Sequence, residues 1–147
     1  MALLVGSRTA RILLGLMLAA GTLGCRPMPG ASVEVRLDGR PLQVLVARRD
    51  GMRGRDFGDA DAMLFAWRTE QDPSLVGFVM DGVAMPLDIA YFDGMGRWLA
   101  TTRMEPCEAE PCPRYAAPAP FRWALEAPVG TVLSGLGQGS RLEVAGG

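Results

Sequence analysis

The side chain that most clearly invites a chemical role is Asp88, a carboxylate inside the apolar run Leu87 to Phe92. If this run is a strand, alternation puts Asp88 on the same face as Phe92 and opposite to Tyr91. A buried carboxylate there must accept backbone hydrogen bonds or pair with an arginine, because an unsatisfied charge costs several kcal/mol. Two interpretations stay open: a structural acceptor, or a ligand contact or general base with a raised pKa.

Two more charged residues, Arg103 and Glu105, flank Met104 just before a pair of cysteines. We predict that Asp88, Arg103 and Glu105 contribute to a ligand-binding cleft, with orientation of the loop as the alternative role for the last two. Asp88 is also the candidate catalytic residue. Paired with Glu105 or Glu126 it could serve glycoside hydrolysis, which needs carboxyl groups about 5 to 9.5 Å apart across a groove.

Cys107 and Cys112 are predicted to form a structural disulfide bond, because they are the two of three cysteines that remain when Cys25 is assigned to the N-terminal export pattern described below, and export permits oxidation. Redox-active pairs have two residues between the cysteines, whereas this pair has four. Two cysteines in a chain without histidine cannot fill a four-coordinate zinc site. We therefore expect no metal and no cofactor.

The composition removes several other chemistries. All 15 basic residues are arginine, and the chain has no lysine or histidine, so it lacks an imidazole base, a Schiff-base lysine and a P-loop lysine. The formal net charge of −1 does not favour a nucleic-acid partner. The densest basic cluster has four arginines within residues 48–55, interspersed with aspartates. It predicts a solvated, internally paired surface loop, with carboxylate or phosphate binding as the alternative.

The N-terminal segment has the pattern of an export signal. Arg8 and Arg11 precede the apolar stretch from Ile12 to Gly24, which at 13 residues is shorter than the roughly 20 that span a bilayer. The pair Gly24-Cys25 resembles a bacterial lipobox, in which Cys25 would be lipidated and become the mature N-terminus. Cleavage after an ordinary small residue is the alternative.

These features divide the chain into a signal peptide over residues 1–24, a lipid-attached tether over 25–32 and one domain over 33–147. The mature protein is expected in the cell envelope, anchored to a membrane and facing the periplasm or the cell exterior. Its partners are then the membrane, through the anchor, and an unknown small ligand or envelope protein.

Within the domain, short apolar or alternating runs separated by turn formers predict eight strands. They are residues 33–37, 42–46, 63–67, 76–80, 87–92, 98–102, 121–125 and 141–144. Residues 48–55 predict a short helix or turn, and Thr131 to Leu136 predict one helical turn. The expected fold is mostly β (α+β), a compact sandwich or barrel-like domain with one or two short helices.

Several segments resemble the bacterial and archaeal family called domain of unknown function 192, whose members are small exported or lipid-anchored proteins. The likeness spans about residues 33 to 144. It is carried by MPLDIAYFD (85–93), RMEPCEAEPCPRY (103–115), WALE (123–126), GMRGR (51–55) and AMLFAW (62–67). The resemblance implies a compact, mainly-β fold and export, and no established reaction.

The chain departs from the family pattern at one place. Where the family usually has an aromatic residue, methionine, lysine and asparagine, this chain has Val79, Met80, Asp81 and Gly82. If that stretch binds a ligand in the family, this protein binds it differently or not at all. The sequence as a whole predicts a non-catalytic binding or accessory module of the envelope, with a glycan-acting hydrolase or transferase as the alternative.

Overall fold

The computed structural model describes residues 29–146. Its seven strands form one mixed sheet in the order β5-β4-β6-β3-β2-β1-β7. They are β1 (Ser32–Leu37), β2 (Arg40–Val46), β3 (Ala62–Gln71), β4 (Leu87–Phe92), β5 (Trp98–Met104), β6 (Phe121–Pro128) and β7 (Leu142–Val144). The predicted signal peptide, Cys25 and the first part of the tether lie outside the described residues. Within residues 29–146 no helix could span a membrane.

Two hairpins form where turn residues interrupt the alternating runs. In the first, Leu37 pairs with Arg40, and Asp38 and Gly39 in the two-residue loop both have positive φ. In the second, the buried Asp93 closes the turn between β4 and β5 by accepting hydrogen bonds from the Met95 and Arg97 amides, both at 2.9 Å. Burial opposes ionisation of Asp93, but these bonds and the Arg97 guanidinium outweigh it and lower its pKa.

The sheet contains one parallel pair, β2 with β3, in which Leu45 lies opposite Met63. Parallel neighbours need a long crossover, which here is formed by residues 47–61 without a helix. This crossover passes over one face of the sheet. The basic cluster of the sequence therefore lies above β3 rather than at a distant edge.

The two faces of the sheet bury separate apolar clusters. The inner face carries Leu64, Phe92 and Leu125, and it also buries residues of the edge strands, so the sheet curls around this cluster. The outer face carries Met63 and Tyr91 and is covered by the loops between the strands. The alternation of β6 between these clusters places Glu126 on the outer face.

The structure corrects the predicted architecture. The domain is neither a sandwich nor a closed barrel: it is a single sheet whose edge strands meet only through an isolated bridge between Arg97 and Arg141. The short helices are absent from the described residues: 48–55 forms turns, the alternative that was predicted for it, and 131–136 forms turns in place of the predicted helical turn. Glycines at 51, 54 and 135, all at positive φ, explain why no helix forms there.

The predicted strand over 76–80 was also wrong. Only Phe78 pairs, in an isolated bridge with Tyr115. This segment is apolar because it covers the outer face, where the Phe78 ring lies 5.0 Å from that of Phe65 and 5.9 Å from that of Tyr91. A segment that packs against a sheet and a strand within a sheet can have the same sequence pattern, a short apolar run, so the pattern does not distinguish them.

Candidate functional site

A cavity of about 450 Å³ opens on the outer face, between the sheet and two of the covering loops. Its floor is formed by side chains of β3 and β6, and its walls come from residues 49–53 and 77–83. The lining residues are Arg49, Asp50, Gly51, Met52, Arg53, Phe65, Gly77, Phe78, Val79, Met80, Asp81, Val83 and Glu126. The volume is within the range of small-molecule sites, which are also mostly apolar with a few polar groups.

Glu126 is the polar group on the floor of this cavity. It lies opposite Met63 on β3 and Ile89 on β4, and only 5% of its surface is exposed. Its carboxylate takes part in no hydrogen bond or ion pair among the described residues. Burial disfavours the charged form and raises the pKa of Glu126 from 4.5 to about 7. A carboxyl group poised near neutral pH therefore faces the cavity.

Tyr91 is the second buried polar side chain in this region. It lies on β4 opposite Ala124, and so is a diagonal neighbour of Glu126 on the same face. Its hydroxyl is fully buried and has no hydrogen-bond partner in the described part of the chain. Burial, followed by the nearby charge of Glu126, raises the pKa of Tyr91 well above its ordinary value, while Arg114 acts in the opposite direction. Tyr91 is therefore a neutral phenol.

The two walls of the cavity are tied together above the floor. The Gly54 amide donates to the Gly82 carbonyl at 3.1 Å, and Arg53 forms an ion pair with Asp81. Close approach requires glycine at two points. A Cβ at Gly51 would lie 3.2 Å from the Phe65 ring, and one at Gly82 would lie 2.9 Å from the Arg53 side chain.

The disulfide loop supports one wall from behind. Cys107 and Cys112 are bonded to each other, with their Cα atoms 5.6 Å apart, as the sequence predicts. The Cys107 amide donates to the Met80 carbonyl at 3.3 Å, and Asp81 and Cys107 form an isolated parallel bridge. The disulfide therefore fixes the loop against which residues 80 and 81 are held.

The predicted site residues lie together, but away from the cavity. Asp88 lies directly opposite Arg103 in the β4–β5 pairing, and Arg103 donates from Nε to Glu105 at 2.6 Å. Asp88 accepts a hydrogen bond from the Gly130 amide at 3.0 Å, which is what a structural acceptor would do. None of the three lines the cavity. Their role in ligand binding stays a prediction.

The predicted carboxylate pair of Asp88 and Glu126 is not formed across one groove. Asp88 pairs with Ala127 and Glu126 pairs with Ile89, so the two acids point to opposite faces of the sheet. Sequence reasoning treated Glu126 only as a partner for Asp88. The signal for Glu126 was the same as for Asp88, namely a carboxylate inside an apolar strand.

The arginine cluster and the departure from the family pattern both fall at the cavity. Arg55 pairs with Asp50 at 3.3 Å, the internal pairing that the sequence predicts, whereas Arg53 pairs with Asp81 on the other wall. Asp81 is partly buried at the cavity because the 47–61 crossover brings Arg53 next to it. The residues around Asp81 in the sequence do not indicate this contact.

Two solved structures are similar to this chain. One is a protein of Sinorhizobium meliloti 1021 with the provisional name of a transcription regulator, at 26% identity and a TM-score of 0.66, with 82% of this chain and 99% of that chain covered. The other is a protein of unknown function from Novosphingobium aromaticivorans DSM 12444, at 21% identity and a TM-score of 0.63, with 77% and 85% covered. The second likeness shows the fold alone.

No curated protein matches the chain. The sequence pattern of the domain of unknown function 192, described as an uncharacterized ACR, matches residues 35–144. The matched region contains all seven strands except the first residues of β1, and every residue that lines the cavity. The chain belongs to the domain of unknown function 192 family.

Proposed function

We propose that this protein is a non-catalytic binding module of the cell envelope, which holds a small ligand in the cavity above Glu126. The observation that carries the proposal is the buried carboxyl group of Glu126, which has no partner in the described chain and faces a cavity of about 450 Å³. An unpaired buried acid is costly for a fold. A ligand that completes its hydrogen bonds or pairs with its charge recovers that cost.

The lining of the cavity supports binding of an organic molecule. Phe65, Phe78, Met52, Met80 and Val83 provide apolar contacts, and polar side chains are confined to the floor and the mouth. Small-molecule sites combine an apolar body with a few polar groups that orient the ligand. The cavity is already formed without a ligand, because its walls are held by the sheet, by the ion pair between them and by the disulfide loop.

A copurification experiment tests the binding function. Native mass spectrometry of the protein isolated from its envelope fraction should show a noncovalent small-molecule adduct. Met80→Trp places an indole into the cavity and should remove the adduct. Met95→Trp is the matched control, because Met95 is 63% exposed on the β4–β5 turn and does not line the cavity. An adduct that survives Met80→Trp in a folded protein would contradict binding at this site.

Export and lipid anchoring are part of the same proposal and rest on the leader pattern of the sequence. Cys25→Ser should move the protein from the membrane fraction to a soluble fraction, because the diacylglyceryl group is attached to that sulfur. Cys107→Ser, which removes a different cysteine, should leave the protein in the membrane fraction. A Cys25→Ser protein that stays membrane-bound would refute the anchor but not the cavity.

A glycan-acting hydrolase is the second candidate, because a pKa of about 7 suits Glu126 to protonate a leaving group. The ionised partner would have to be Asp50 or Asp81, which also line the cavity. Release of soluble fragments from purified cell-wall glycan by the native protein, and its loss in Glu126→Gln, would favour this function over binding alone.

A further inference from the structure

We infer that the ligand of this cavity is a small organic cation, an amine with an apolar body, whose ammonium group binds the Glu126 carboxylate. The inference rests on the proposed function, in that it requires the cavity to be a binding site. It adds the chemical class of the ligand and names Glu126 as the residue that determines specificity.

The arginines and Asp50 at the mouth of the cavity are exposed, whereas Glu126 is the buried charged group of the lining. Two guanidinium groups, Arg49 and Arg53, line the cavity together with two carboxylates, Asp50 and Asp81. Arg53 is paired with Asp81, and Asp50 is paired with Arg55 just outside. With Glu126 ionised, the lining itself has a net charge of −1, and Arg55 brings the local sum to zero. The unmatched arginine, Arg49, is exposed, so solvent screens its charge, whereas Glu126 is the buried charge of the lining. An anion would add a second negative charge close to a buried acid.

The position of Glu126 favours a cation over a neutral hydroxyl compound. A carboxylate that lies 5% exposed on the cavity floor gains most from an opposite charge, because electrostatic attraction is stronger beside the low-dielectric protein interior than in bulk water. An ammonium group also donates up to three hydrogen bonds, which satisfies an acceptor that the described chain leaves without a donor. A hydroxyl group offers one donor and no charge.

The side chains around Glu126 suit the rest of such a molecule. Phe65 and Phe78 meet edge to face with ring centroids 5.0 Å apart, and both line the cavity. Aromatic rings attract organic cations as well as packing against apolar groups. Met52 and Met80 add flexible apolar surface that adapts to the shape of a ligand.

The ionisation of Glu126 links amine binding to pH. On β4 the titratable group beside Glu126 is Tyr91, and Arg114 lies near Tyr91. On β3 the neighbours Met63 and Phe65 have no titratable group. The loops contribute four charged groups that line the cavity: Arg49, Asp50, Arg53 and Asp81. Because the pKa of Glu126 is about 7, a cation that binds the carboxylate must displace a proton at pH 6 but not at pH 8. Amine affinity should therefore be about tenfold higher at pH 8.

The test uses three probes of similar shape and different charge: 2-phenylethylamine, 2-phenylethanol and phenylacetate. Binding to the full-length protein is followed by NMR through the amide signals of Gly51 and Gly77, which line the cavity. At pH 8 the amine should bind at least about tenfold more tightly than the alcohol, and phenylacetate should bind most weakly. Glu126→Gln should weaken amine binding by about tenfold or more and change alcohol binding by less than about twofold.

Glu143→Gln is the control, because Glu143 is an exposed acid on β7 and does not line the cavity. It should leave all three affinities unchanged. Tighter binding of the alcohol or of phenylacetate, or equal amine binding by Glu126→Gln, overturns the inference about the ligand class and leaves the binding function standing. Failure of all three probes to shift the Gly51 and Gly77 signals contradicts both the inference and the proposed function.

Discussion

The two faces of the sheet are built from the same strands but bury very different interiors. On the inner face Leu64, Phe92 and Leu125 are completely buried in a cluster that the curled sheet itself encloses. On the outer face the Tyr91 hydroxyl is buried without a partner in the described chain, and Glu126 is 5% exposed on the floor of a cavity beneath irregular loops. Strand packed on strand fills space closely, whereas covering loops leave room. The proposed binding site therefore lies where loops, and not a second layer of strands, cover the sheet.

The comparison predicts that truncations cost more on the inner face. Leu125→Ala should lower the free energy of unfolding by about 4 kcal/mol, because the curled sheet cannot close around the lost volume. Met80→Ala, on the cavity wall, should cost about 2 kcal/mol, since water from the cavity can occupy the space. Urea denaturation of both variants measures the difference. Equal costs would mean that the loops pack as tightly as the strands.

The second prediction uses the two acids that point to opposite faces. The pKa of Glu126 is raised in the folded state, so the folded protein binds a proton more tightly than the unfolded chain between about pH 4.5 and pH 7. The free energy of unfolding should therefore fall by about 3 kcal/mol as the pH rises through that window, and stay lower above it. Glu126→Gln should remove this fall. Denaturation at pH 5 and pH 8 measures it.

Asp88→Asn is the matched substitution on the other face. The asparagine oxygen can still accept the hydrogen bond from Gly130, so stability should change by less than about 1 kcal/mol, whereas Asp88→Ala should cost about 1 to 2 kcal/mol.

If Glu126→Gln leaves the pH dependence of stability unchanged, the carboxyl group of Glu126 on the outer face is not desolvated as the structure indicates. Large, equal losses for both Asp88 variants would remove Asp88 from the candidate ligand-binding residues.

A modest effect on stability is expected from the disulfide behind the cavity wall. Replacing both Cys107 and Cys112 by serine opens a loop of only a few residues, so the loss should not exceed about 2 kcal/mol and the sheet should persist. The same double variant should weaken 2-phenylethylamine binding, because Cys107 holds the Met80 carbonyl. Thermal denaturation and the NMR titration separate the two effects. Unchanged binding would show that the wall does not need the disulfide.

Local pattern was enough for most of the strands. Alternation placed Asp88 and Tyr91 on opposite faces of β4. The apolar run over 76–80 misled, because burial against the sheet produces the same composition as pairing within it. Glycines at positive φ in 48–55 and 131–136 make both segments turns, so the short helices that the sequence allowed there do not form.

The sequence by itself determined the family, the disulfide pair, the mainly-β composition and the alternation that buries one side of each strand. These depend on residue types and on spacings of a few positions, which every short segment carries. Tertiary structure alone decided that β2 and β3 are parallel neighbours, that the crossover between them covers the outer face, and that Arg53, Asp81 and Glu126 meet at one cavity. These contacts join residues that are tens of positions apart in the sequence. Which strands pair is decided by the packing energy of the whole sheet, and no single segment carries that information.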